Sequence, residues 1–312
     1  MSNDFYKKIG KSIKYHQKIN WVLTLCFGLI WLLLTILVTQ GMNIGGRSGL
    51  FIAPNLTLDG DGKKYLNNGM GESISYIWGI FGFIFFSIIT LILVFNTFLK
   101  EMRTGQITLW MTLGMSKTSI LLSKIFNIFS ILIIVFIPSW LFVVVIGSTA
   151  NDANLYIGHI IASGFLFIFF NLFISTIYVL IGMIFINQSG LFLSIALFIT
   201  LFILATSIIN FIWIMVSYSE HGTAKDQPFY SWMKYVKYFS IQSLYVQILQ
   251  FDDRENLVPT VLFRIKDSQT MVAPLKISNL FWTIITPFIT IVGSISLTTS
   301  SILIFNIKDL RI

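Results

Sequence analysis

Six apolar stretches, each long enough to cross a bilayer and none carrying a Lys, Arg, Asp or Glu, dictate what this chain can become. They run from Trp21 to Val38, Tyr76 to Leu99, Ile125 to Ile146, Ile160 to Ile186, Leu191 to Val216 and Leu280 to Phe305. A helix needs about 20 such residues to cross the hydrocarbon layer. A chain of 312 residues that is 55% hydrophobic and only 11% charged does not describe a soluble core. The expected fold is therefore an all-α polytopic membrane protein, a single transmembrane domain over 1–312. The first stretch follows basic residues but is long and lacks a small-residue cleavage site, so it is expected to be retained as a span. Cys26, inside it, is the only cysteine, which excludes an internal disulfide and any thiolate metal or redox centre.

Charge placement gives the orientation, because Lys and Arg accumulate in short cytoplasmic loops. With the N-terminus inside, the inner segments hold Lys7, Lys8, Lys11, Lys14, Lys18, Lys100, Arg103, Lys117, Lys124, Lys308 and Arg311 against Asp4, Glu101 and Asp309. The outer segments hold equal numbers of basic and acidic residues, so the whole formal charge of +8 falls on one side. Both termini are expected in the cytoplasm. The basic balance is thereby explained by topology, and no nucleic-acid partner is implied.

Segment 1–20 places Phe5, Ile9 and Ile13 at helical spacing with lysines around them. It is expected to be an amphipathic helix lying on the inner membrane surface, its lysines reaching lipid headgroups. The outer loop from Gly41 to Ser75 contains Asp59-Gly60-Asp61-Gly62, but Lys63 breaks a calcium-loop pattern, so a solvated turn is expected. Asn55-Leu56-Thr57 fits a glycosylation sequon, a weak signal. The external region 217–279 reads as aromatic amphipathic helices over Phe229 to Phe251, then a hairpin turning at Asp267-Ser268.

No catalytic or metal-ligating pattern appears: there is no H-E-x-x-H, cysteine pair or Gly-x-Ser-x-Gly. His159 reads as a boundary residue. Gly114-Met115-Ser116-Lys117-Thr118 lacks the glycine before the lysine and the preceding strand of a phosphate-binding loop, so the chain is not expected to bind ATP. The charge-free spans argue against proton or sodium coupling, which keeps ionisable groups at membrane depth. The chain is not expected to be an enzyme by itself. Energy for any transport would then come from outside the chain.

The place for it to enter is the inner segment 100–124. It opens Lys100-Glu101-Met102-Arg103-Thr104-Gly105 and keeps apolar residues at helical spacing in Ile107, Trp110, Met111 and Met115. The segment resembles the cytosolic coupling helix of type-2 ABC exporter permeases, which have six spans and both termini inside. Glu101 and Gly105 match the first element of that motif, Ile107 to Leu113 the apolar run, Gly114 with Ser116 and Lys117 the turn, and Lys124 the close. Gly114 stands where Pro is common in the family.

That resemblance implies a membrane subunit working with a second permease chain, identical or homologous, and two copies of an ABC ATPase subunit. ATP and magnesium would be held by the ATPase, with no cofactor in this chain. The resemblance also implies a bacterial plasma membrane location. Its coupling residues would be Glu101, Arg103, Gly105, Trp110, Gly114, Ser116, Lys117 and Lys124. Trp110 and Met111 would fill a partner pocket, with Glu101, Arg103 and Lys117 pairing around its rim.

The substrate path is fainter: Ser75, Gly79 and Gly82 form a small-residue stripe on the second span, and Ser294, Ser296 and Thr298 a mildly polar one on the last. Pro138 and Pro287 are expected to bend their spans. An uncharged, aromatic-rich wall suits a hydrophobic or amphipathic cargo such as a peptide, drug or lipid. Two other readings remain. One is a lipoprotein-release-type ABC permease, against which the short outer loop and six spans count. The other is a non-transporting membrane sensor or assembly factor.

Overall fold

The structure is a computed structural model that describes residues 3–44, 55–58, 64–67, 77–112, 114–148, 153–218, 232, 240, 266–267, 270–271 and 280–308. Its helices are α1 (Asn3–Ile44), α2 (Ile77–Arg103), α3 (Gln106–Thr112), α4 (Lys117–Ser148), α5 (Ala153–Ile184), α6 (Ser189–Tyr218) and α7 (Leu280–Ile307). All but α3 are long and apolar enough to cross a membrane, and these six correspond to the six apolar stretches. The described residues therefore form a bundle of six long apolar helices, as in a polytopic membrane protein, with two small strand pairs outside it. In one, β1 (Asn55–Leu58) pairs antiparallel with β2 (Lys64–Asn67); in the other, β3 (Lys266–Asp267) pairs with β4 (Thr270–Met271). The second pair falls where the external hairpin is expected, and the first was not anticipated. Ser75, the Asp59–Gly62 turn and most of 217–279, including nearly all of Phe229 to Phe251, lie outside the described residues.

The first helix corrects the reading of segment 1–20. α1 is one continuous helix of 42 residues, about 63 Å at the usual rise per residue, against roughly 30 Å of hydrocarbon. No Pro or Gly separates Lys18 from Trp21, so nothing stops the hydrogen-bond ladder from running on. Its early turns stand alongside α4 rather than lying flat. Ser12 Oγ meets Ser123 Oγ at 3.1 Å, and Gln17 donates to Ser130 Oγ at 3.1 Å. Both helices advance together along this contact, so they run parallel. The buried row on these early turns of α1 is polar, Ser12, His16 and Asn20, and Trp31 and Thr35 are buried further along.

α2 forms the middle of the bundle, touching α4, α5 and α6, while α7 packs on α5 and α4. The core between α2, α4 and α5 is a ring cluster. Phe167 lies 5.4 Å from Phe83, 5.5 Å from Phe86 and 5.2 Å from Phe136, and Trp78 and Trp140 extend it. Lipid tails are as apolar as these side chains, so helix association rests on close fit rather than on escape from water. Gly82 supplies one such fit, since a Cβ there would meet Phe167 Cζ at 2.5 Å. Gly293 does the same on α7, where a Cβ would meet Phe173 Cε2 at 2.6 Å. Around Gly79 there is open space. Pro138 and Pro287 sit inside helices that continue through them.

Candidate functional site

Segment 100–124 leaves α2 through a wide π-helical stretch, Phe95–Lys100, and Glu101 follows it. Its carboxylate points into the bundle. His16 Nδ1 lies 3.2 Å from Glu101 Oε1, and Lys124 Nζ lies 2.5 Å from Glu101 Oε2. Lys124 also donates to the Thr97 carbonyl at 2.5 Å and stands 5.4 Å from the centre of the Phe98 ring. Lys124 is fully buried and Glu101 is 7% exposed. Removing two charges from water costs several kcal/mol each, so each is kept only because the other, the histidine and a carbonyl compensate it. The cluster ties three helices, α1, α2 and α4, at one point.

Beyond that point the chain turns at Gly105, whose φ of 72° lies in the left-handed region that other residues resist. Helix α3 follows and ends at Gly114, with φ 74°. The Gly114 amide bonds the Met111 carbonyl at 2.9 Å and the Met115 amide bonds the Trp110 carbonyl at 3.3 Å, so the last carbonyls of α3 are satisfied by a left-handed glycine cap. Ser116 then caps α4, its hydroxyl accepting from the Ser119 amide at 3.2 Å. Each small residue of the motif thus has a local backbone task.

The short helix turns one side inward. Ile107 is buried, and Trp110 packs edge-on against Tyr15 at 5.4 Å and tilted against His16 at 5.8 Å. Its outward side is Gln106, Leu109 and Thr112, with Leu109 61% exposed. Three sequence expectations change here. Glu101 is buried in the triad and so is not a rim group. Trp110 already has partners within the chain, and Leu109 is the apolar side chain offered outward. Lys117 donates to the carbonyls of Asn306 at 3.3 Å and Lys308 at 3.1 Å, where a cation suits the end of α7. Arg103 is exposed, two residues before Gly105.

The charge-free spans also need restating. The helices that cross include Glu101 and Lys124 in their inner turns, so ionisable groups are present in the bundle, though as a compensated cluster. His16, Tyr15, Thr97 and Leu109 are site residues that sequence reasoning missed. The one available signal was the four-residue spacing of Ser12, His16 and Asn20. Of the residues expected along a substrate path, Gly82 receives the Phe167 ring of α5 and Ser294 bonds the Thr290 carbonyl of its own helix at 2.7 Å. Ser296 is exposed and Thr298 half-buried. No protein-family model matches this chain, and no curated protein is significantly similar to it.

Proposed function

We propose that this chain is the membrane permease subunit of an ATP-driven ABC exporter, moving a hydrophobic or amphipathic substrate outward with energy from a separate ATPase subunit. The observation that carries this reading is the mounting of α3. A seven-residue helix stands between two left-handed glycines, offers Gln106, Leu109 and Thr112 outward, and has at its base a buried triad joining three helices. A push on α3 would be passed through Glu101 to α2, through Lys124 to α4 and through His16 to α1. A solvated loop needs no such footing. The working unit is two permease chains with two ATPase subunits, which hold ATP and magnesium, in a bacterial plasma membrane.

The test is co-purification of the ATPase with the tagged chain. Leu109→Glu puts a charge on the outward face without touching the triad, so it should leave the chain folded and reduce recovered ATPase about tenfold or more, as expected for a central apolar contact worth about 2 kcal/mol. Undiminished recovery and an unaltered ATP hydrolysis rate would remove α3 as the docking element.

A further inference from the structure

The ends of three long helices enclose a cavity of about 460 Å³, within the roughly 300–1,000 Å³ of ordinary ligand sites. Arg103 at the end of α2, Asn187 and Gln188 in the turn before α6, and Lys308 after α7 supply its polar groups, with Ile184 and Phe185 as apolar wall. Among the described residues, no acidic side chain lines it. Glu101, next in sequence to the lining Met102, is already engaged with His16 and Lys124. Lys308 donates to the Ile184 carbonyl at the end of α5, and its charge offsets that helix terminus. Arg103 is exposed and makes no hydrogen bond or ion pair with the described residues.

A guanidinium with no partner among the described residues, a second cation, two amides and an apolar wall converge where the long apolar helices stop. That level is occupied by lipid headgroups, and the charge bias assigns it to the inner leaflet, where anionic lipids concentrate and basic pockets between helices hold them. We propose that this cavity binds the phosphate headgroup of an anionic glycerophospholipid. Arg103 takes the phosphate oxygens with its planar fork, Lys308 adds a point charge, and Asn187 and Gln188 hydrogen-bond the headgroup glycerol. Ile184 and Phe185 meet the first acyl carbons. A soluble acidic partner would need no such apolar wall. The proposal does not rest on the ATPase reading and can fail separately from it.

The test is native mass spectrometry of the purified full chain in micelles holding equal amounts of phosphatidylglycerol and phosphatidylcholine. The unmodified chain should retain phosphatidylglycerol in preference. Each basic side chain near such a surface is worth about fivefold, so Arg103→Gln with Lys308→Gln should lower that retention about thirtyfold and leave phosphatidylcholine unchanged. Lys14→Gln with Lys18→Gln removes the same charge from exposed positions of α1 and should change little. Arg103→Lys, the mildest change, should give a partial loss and guards against misfolding of the double variant. Equal losses in both double variants would reveal general attraction and overturn the site, as would no preference or an unaffected one. Displacement of the lipid by millimolar glycerol phosphate would assign the cavity to a soluble phosphate, and displacement by hexaglutamate to an acidic protein; either overturns the lipid assignment.

Discussion

Glu101 and Lys124 stand 23 residues apart in sequence and meet in the interior, and the consequence is an asymmetry that mutagenesis can read. Glu101→Gln leaves a buried ammonium with reduced compensation, and Lys124→Met leaves a buried carboxylate with only His16. Each single change is expected to cost about 3–5 kcal/mol, whereas the pair exchanged together for Gln and Met should cost clearly less than their sum. Thermal unfolding of the four proteins in detergent checks this, and strict additivity would show that the two charges do not compensate one another. The motif marked both residues, and sequence reading went no further, because pairing depends on how α2 returns into α4. His16 was less legible still: a lone histidine among lysines reads as solvated until α1 is known to stand against α4.

At the level of elements, α3 shows which signals are local and therefore readable. Gly105, Gly114 and Ser116 act through their own backbone or a neighbour three residues away, and all three were marked through the motif that the segment resembles. The face of a seven-residue helix is another matter, because two turns give no firm periodicity and both Trp110 and Leu109 are apolar. The continuity of α1 was hidden for the opposite reason: a change from charged to apolar composition looks like a boundary, but no residue there breaks a helix. Gly114 also shows why a proline does not stand at this turn. Its φ of 74° cannot be adopted by proline, whose ring holds φ near −65°, so this chain makes its turn with a left-handed cap instead. Gly114→Asn should cost only a few tenths of a kcal/mol and Gly114→Ala about 1 kcal/mol, while Gly114→Pro should cost the most because it also removes the amide bonded to Met111. The order of melting temperatures checks this; a proline variant as stable as the parent would mean that the turn is not held in the left-handed form.

Across the whole molecule, the six spans were legible because each is a continuous apolar run, and the bilayer imposes its length on the sequence more strictly than a soluble core would. The packing between spans was not legible, since α2 is apolar all round and composition does not say that Phe167 fits over Gly82. Orientation belongs to this scale too, because it is a property of the summed loops rather than of any one of them. With every unit of the +8 charge on the side of α3, Gln106 should face the cytoplasm and Asn67 on β2 the exterior. Cys26→Ala removes the only native thiol, so a single cysteine placed at either position reports its own side. In intact cells a membrane-impermeant maleimide should label Asn67→Cys and spare Gln106→Cys, and permeabilisation should expose the second. The reverse pattern would put α3 outside, beyond the reach of any cytoplasmic ATPase, and would defeat the permease reading at its base. Labelling at both positions in intact cells would instead mean two orientations, a result that the one-sided charge forbids.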